Sequence, residues 1–124
     1  MKIRIQGNSV RFRLSRSEVR SLQKEGHFTE QTAFNGQNFI YAVATKANIT
    51  GLQAEFQRNT ITLFLPRSES LKWPDSDRVG YANEMVLKDG QILSLLLEKD
   101  FICMDGRMED QSDKYPNPAT TTIK

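Results

Sequence analysis

Residues 2–15 read KIRIQGNSVRFRLS, and the Gly7-Asn8 pair at the centre is a dipeptide that closes two antiparallel strands. Counting outward pairs Gln6 with Ser9, Ile5 with Val10, Arg4 with Arg11, Ile3 with Phe12 and Lys2 with Arg13. Side chains alternate along a strand, so Ile3, Ile5, Val10 and Phe12 share one face that a core must cover. On the other face cation stands opposite cation twice. Like charges across a strand pair destabilise it unless something negative relieves them. The chain opens with a β-hairpin whose polar face asks for an anion.

The next segment, SRSEVRSLQKEG, predicts a helix over 16–25. Ser15 and Glu18 have the spacing of a capping box, Leu14 and Val19 that of a hydrophobic staple, and Gly26 stands where a left-handed cap ends a helix. Arg16, Arg20 and Lys24 recur every four residues and line one side of it. From there onward strands dominate. Asn35-Gly36 marks one turn, and Arg58-Asn59 a second that sets Phe56 against Ile61 and Ala54 against Leu63. Asp89-Gly90 marks a third, between YANEMVLK and QILSLLLEKDFICM. The last of these strands is apolar on both faces, which predicts a central strand covered on both sides. Between the second and third hairpins, residues 66–80 read PRSESLKWPDSDRVG. A helical turn in SESLKW and a connection pinned by Trp73 are expected there. No internal repeat is read.

These elements predict one α+β domain over 1–114. It has a predominantly antiparallel, curved or barrel-like sheet of seven to eight strands with the one well-marked helix. Pro116 and Pro118 predict a flexible tail over 115–124. With 124 residues, 38% hydrophobic and 26% charged, the composition is that of a soluble globular domain. No apolar run reaches the roughly 18 residues of a membrane span, and the basic opening strand is not a signal peptide. A single cysteine, Cys103, excludes an internal disulfide and reads as buried and inert; the expected compartment is the cytoplasm. The net charge of +2 hides a split: residues 1–67 hold ten Lys/Arg against four Asp/Glu, and residues 68–124 seven against eleven. Mutual neutralisation of the two halves in the fold is the favoured reading of that split.

The chemistry-bearing residues are few. His27 is the sole histidine and has no nucleophile beside it; no phosphate-binding glycine loop, HExxH, CxxC or EF-hand loop occurs. The balance is against an enzyme. Lys2, Arg4, Arg11 and Arg13, with Arg16 continuing the set, form the candidate anion site, because guanidiniums on a rigid sheet suit phosphate oxygens. Glu98 and Asp100 lie two apart on one strand and project from the same face. They serve either as counter-charges, together with Asp105, Glu109, Asp110 and Asp113, or as ligands for Mg²⁺ or Mn²⁺. The salt-bridge role is the favoured one, and no cofactor is expected outside the metal alternative.

Three resemblances follow from these residues. The opening KIRIQGNSVRFRLSRSEV, the strand LLLEKDFICM and the ED…YPNP tail resemble an uncharacterised family of small bacterial proteins, which implies no activity. IQGNSVRFRLSRSEVRSL resembles the AbrB/MazE-type swapped-hairpin domains, which implies a dimer placing Lys2, Arg4, Arg11 and Arg13 on DNA. At the level of fold, a curved sheet with basic residues is similar to the CYTH-like triphosphate tunnel proteins. There a metal would fall to Glu98 and Asp100, since Lys2-Ile3-Arg4-Ile5-Gln6 stands where that group carries acids. The leading expectation is a small cytosolic binding protein holding a phosphorylated or polyanionic ligand on the basic hairpin face. The alternatives are a DNA-binding dimer and a metal-dependent phosphohydrolase. A small anion or a nucleic acid is the expected partner, not a membrane. The apolar hairpin face serves either its own chain or a homodimer.

Overall fold

The computed structural model describes residues 1–101. Cys103, the acidic residues Asp105, Glu109, Asp110 and Asp113, and the expected tail over 115–124 lie outside them. The opening hairpin forms in the register counted from its turn: strands β1 (Lys2–Gln6) and β2 (Ser9–Leu14) pair Lys2 with Arg13, Arg4 with Arg11 and Gln6 with Ser9. Helix α1 (Arg16–Glu25) follows. Ser15 Oγ accepts from the Glu18 amide, the Glu18 carboxylate accepts from the Ser15 amide, and Gly26 closes the helix at φ +83°. Then come β3 (His27–Phe34), β4 (Gln37–Lys46), β5 (Gln53–Gln57), β6 (Thr60–Pro66), the short helix α2 (Arg67–Lys72), a 3₁₀ turn (Trp73–Asp75), β7 (Gly80–Val86) and β8 (Ile92–Lys99).

The eight strands form two four-stranded sheets, ordered β1-β2-β8-β7 and β3-β4-β6-β5. Four of the six strand pairings are antiparallel, as expected, but the expectation of a single barrel-like sheet of seven to eight strands needs correction. β2 runs parallel to β8, and β4 parallel to β6, so both sheets are mixed and neither is closed into a barrel.

The reason is an internal duplication, which also corrects the reading that no repeat is present. Each half of the chain runs hairpin, helix, hairpin. Each sheet takes the first hairpin of one half and the second hairpin of the other. The correspondence reaches single hydrogen bonds: the Ser94 amide donates to Asn8 O as the Ile40 amide does to Asn59 O, and the Lys99 amide to Val79 O as the Thr45 amide to Gly26 O. In sequence, Arg16-Ser17-Glu18 recurs as Arg67-Ser68-Glu69, with Gln6, Asn8 and Leu14 recurring as Gln57, Asn59 and Leu65. In each sheet the two central strands are the second strands of two hairpins whose turns lie at the same end, so they run parallel.

One core joins the two sheets. Phe12, Leu14, Val43, Leu63, Leu65, Leu97 and Trp73 are fully buried, with Val19 and Leu22 contributed by α1. The hairpin's apolar face packs on its own chain: Val10 and Phe12 are in this core and Ile3 lies against it, whereas Ile5 stays exposed. Trp73 fixes the 66–80 connection as expected. Its Nε1 donates to Arg78 O, and its ring meets Tyr81 edge-on with centroids 5.1 Å apart. Burial, with the Glu69 carboxylate accepting from the Tyr81 hydroxyl, pushes that phenol well above its ordinary range. The edges of the sheets are tied where they adjoin. Asn83 of β7 donates to Leu52 O at 2.8 Å. At the equivalent place in the other half, the Met1 ammonium reaches Glu30 of β3 at 3.4 Å and Glu18 at 2.5 Å.

Two further readings are corrected. The third hairpin is one residue out of the two-residue count. Leu87 pairs with Gln91 across a three-residue turn ending in Gly90 at φ +91°, because a left-handed glycine there accommodates the extra residue. β8 is central in its sheet, yet it is covered on one side only: Leu95 and Leu97 are buried, while Leu96 on the opposite face is half-buried and Ile92 exposed.

Candidate functional site

The outer face of the first sheet, turned away from the core, is set by the strand register. Its row nearest the helices is Lys2, Arg13, Glu98 and Gly80; the next is Arg4, Arg11, Leu96 and Ala82; the third is Gln6, Ser9, Ser94 and Glu84. The hairpin therefore meets its carboxylates through β8, a strand far away in sequence. Glu98 Oε1 lies 2.8 Å from Arg11 Nη2 and 3.5 Å from Arg13 Nε, and Asp100 lies 3.1 Å from Lys2 Nζ. These pairs favour the counter-charge role over the metal role. Each of the two carboxylates accepts from hairpin cations. Among the described residues no three His, Cys, Asp or Glu side chains gather in one place.

Among the described residues neutralisation is incomplete: Arg4 forms no ion pair, although it stands directly across from Arg11. Both arginines line a recess of about 610 Å³, together with Gln6, Ser9, Ser94, Leu96, Ala82 and Glu84. Small side chains at Ser9, Ser94 and Ala82 make the depression, and Leu96 supplies an apolar floor. Gly80 sets how closely β7 approaches β8, for a Cβ at this position would come within 2.3 Å of Leu97 O.

The structure does not bring Arg16 to this face. Arg16 is the first residue of α1 and lines a different recess, of about 670 Å³, with Arg20, Lys99 and Asp77. Arg20 is engaged by Asp75 at 3.2 Å. His27 is an exposed residue at the start of β3. Reading the sequence left out Gln6, Ser9, Ser94, Ala82 and Glu84. The one available signal was Ser94, a lone hydroxyl interrupting the apolar run ILSLLL in step with Leu96 and Glu98.

The second sheet repeats the geometry without these cations. The positions equivalent to Lys2, Arg4, Arg11 and Arg13 hold Gln53, Glu55, Thr62 and Phe64, as the matching hairpin registers show. Among the described residues the basic face occurs once.

A family model matches residues 1–119. The chain belongs to DUF7009, a family of unknown function. No curated protein and no solved structure matches it. Membership of DUF7009 bears out the expected kinship with an uncharacterised family. No helix among the described residues is long and apolar enough to cross a membrane.

Proposed function

We propose that the protein is a binding protein that takes a small phosphorylated ligand into the recess on the outer face of the first sheet. One observation carries this reading: Arg4, without an ion pair among the described residues, faces Arg11 across the hairpin in the wall of that recess. Two guanidiniums held opposite each other on a sheet repel. A phosphate between them relieves the repulsion, accepting from the Arg4 guanidinium and from the Arg11 donors that Glu98 leaves open. The half-buried Leu96 and the small Ala82 give an apolar body of the ligand a surface to lie on.

A thermal-melt panel at constant ionic strength tests it, comparing chloride with inorganic phosphate, triphosphate, nucleotides and a short DNA duplex. A ligand held only by the native state raises the transition by mass action, about 2.7 kcal/mol at a hundred times its Kd. A rise with phosphate compounds that disappears in Arg4→Ala supports the reading. No rise with any of them refutes it.

The exchange of hairpins between two sheets favours a second reading, binding of DNA as in the swapped-hairpin domains. With Gln53, Glu55, Thr62 and Phe64 in the other half, a duplex would be met from one side only. The duplex arm of the panel separates the two, because affinity for DNA falls steeply with salt. The phosphohydrolase alternative has the least support, since its carboxylates are already paired with Arg11, Arg13 and Lys2.

A further inference from the structure

The two halves differ most sharply at one pair of equivalent positions: Arg4 on β1 corresponds to Glu55 on β5, a reversal of charge. Both strands are sheet edges, and both are exposed over their second half, Arg4–Gln6 and Glu55–Gln57. Each also exposes an apolar residue next to the charge, Ile5 at 55% and Phe56 at 66%.

We propose that the edge of β1 in one molecule pairs with the edge of β5 in a second copy of this chain. Each hairpin closes on a two-residue turn, so Gln6 with Ser9, and Gln57 with Thr60, exchange backbone hydrogen bonds. Alternation then turns the backbone groups of Ile3 and Ile5, and of Ala54 and Phe56, outward. An antiparallel ladder joining Ile3 to Phe56 and Ile5 to Ala54 uses those outward groups. The same register places Arg4 opposite Glu55 in the non-hydrogen-bonded pair, where side chains come closest. A self-matched ladder centred on either charge sets Arg4 against Arg4 or Glu55 against Glu55 and is repelled. The contact is heterologous and leaves a free β5 edge on one molecule and a free β1 edge on the other, so association proceeds head to tail. Because Arg4 belongs to both the ladder and the recess, phosphate and a second copy compete for it.

Sedimentation velocity of the full chain over a wide concentration range at low ionic strength tests this, with Arg4→Glu, Glu55→Arg and the double exchange. Association that grows with concentration, is lost in either single variant and returns in the double variant supports the proposal. A wild-type chain that stays monomeric throughout overturns it, as does association that ignores the single changes or is not restored by the double one. Far-ultraviolet circular dichroism confirms that the variants are folded. Glu55 lies on the other sheet from the phosphate recess, so Glu55→Arg keeps a phosphate-induced rise in melting temperature whichever way association goes. Failure of one reading is thereby distinguished from failure of the other.

Discussion

Glu98 lies 2.8 Å from Arg11 across two neighbouring parallel strands, and the same oxygen faces Arg13 at 3.5 Å. A carboxylate from the last strand thus holds together two cations of the second, which would otherwise stand against the cations of the first. Glu98→Gln is expected to lower stability by about 1 kcal/mol, the scale of a partly exposed ion pair. The deficit should shrink as salt screens the uncovered repulsion. Melting curves at low and high sodium chloride check this, and a loss independent of salt contradicts it. The same change frees Arg11 and should strengthen the response to phosphate.

Glu18 ties three pieces of backbone together. Burial, the largest single influence, raises its pKa, but the hydrogen bonds from the Met1 ammonium and the Ser15 amide, the ammonium's charge and the Ser15 hydroxyl together outweigh it and hold the carboxyl below its usual value of 4.5. A carboxyl depressed in the folded state adds stability above its unfolded value, and that stability is lost as pH falls through the folded value. Melting temperature should therefore drop below about pH 4.5. Glu18→Gln, which keeps the cap but not the charge, should flatten that acid limb. An unchanged limb in the variant assigns acid sensitivity elsewhere.

Gly80 has no room for a side chain, since a Cβ would sit 2.3 Å from Leu97 O and 3.0 Å from Glu98 Cα. Backbone must move to admit it, so Gly80→Ala should cost roughly 2–3 kcal/mol, the scale of an overpacked site. Chemical denaturation checks the magnitude. The response to phosphate should fall as well, because β7 and β8 both line the recess.

Arg58 occupies the position that Gly7 holds in the first half, and both are left-handed, at φ +54° and +55°. A side chain with a Cβ pays roughly 1–2 kcal/mol for that conformation, whereas glycine pays little beyond the extra freedom of its unfolded chain. Arg58→Gly is expected to stabilise by up to about 1 kcal/mol, read as a higher denaturation midpoint with unchanged slope. A lower midpoint would show that Arg58 makes a contact worth more than its strain.

Local pattern carried much of this architecture. The Gly7-Asn8 turn and strict alternation set the first hairpin in register, and Ser15, Glu18 and Gly26 bounded α1, because turns and caps are decided by residues a few positions apart. Arg16-Ser17-Glu18 and Arg67-Ser68-Glu69 carry the duplication in plain letters. The repeat is easily overlooked because the faces of the two hairpins diverged, Lys2, Arg4, Arg11 and Arg13 against Gln53, Glu55, Thr62 and Phe64. Identity survives at Gln6, Asn8 and Leu14 and in the first turn of each helix, and has gone from an outer face where packing restricts nothing.

The hairpins, the helix, the apolar stripe that packs and the presence of a basic face were legible in local residue order. Which strand lies beside which was not: a hairpin's register depends on its own turn, whereas β2 meets β8 through nonlocal packing of two exchanged halves. That pairing supplies Glu98 and Asp100 to Arg11, Arg13 and Lys2, separates Arg16 from them, and leaves Arg4 across from Arg11 in the wall of a recess. Charge along a chain is written in its letters; charge left over on a surface is the difference between neighbours, and neighbours are assigned by the fold.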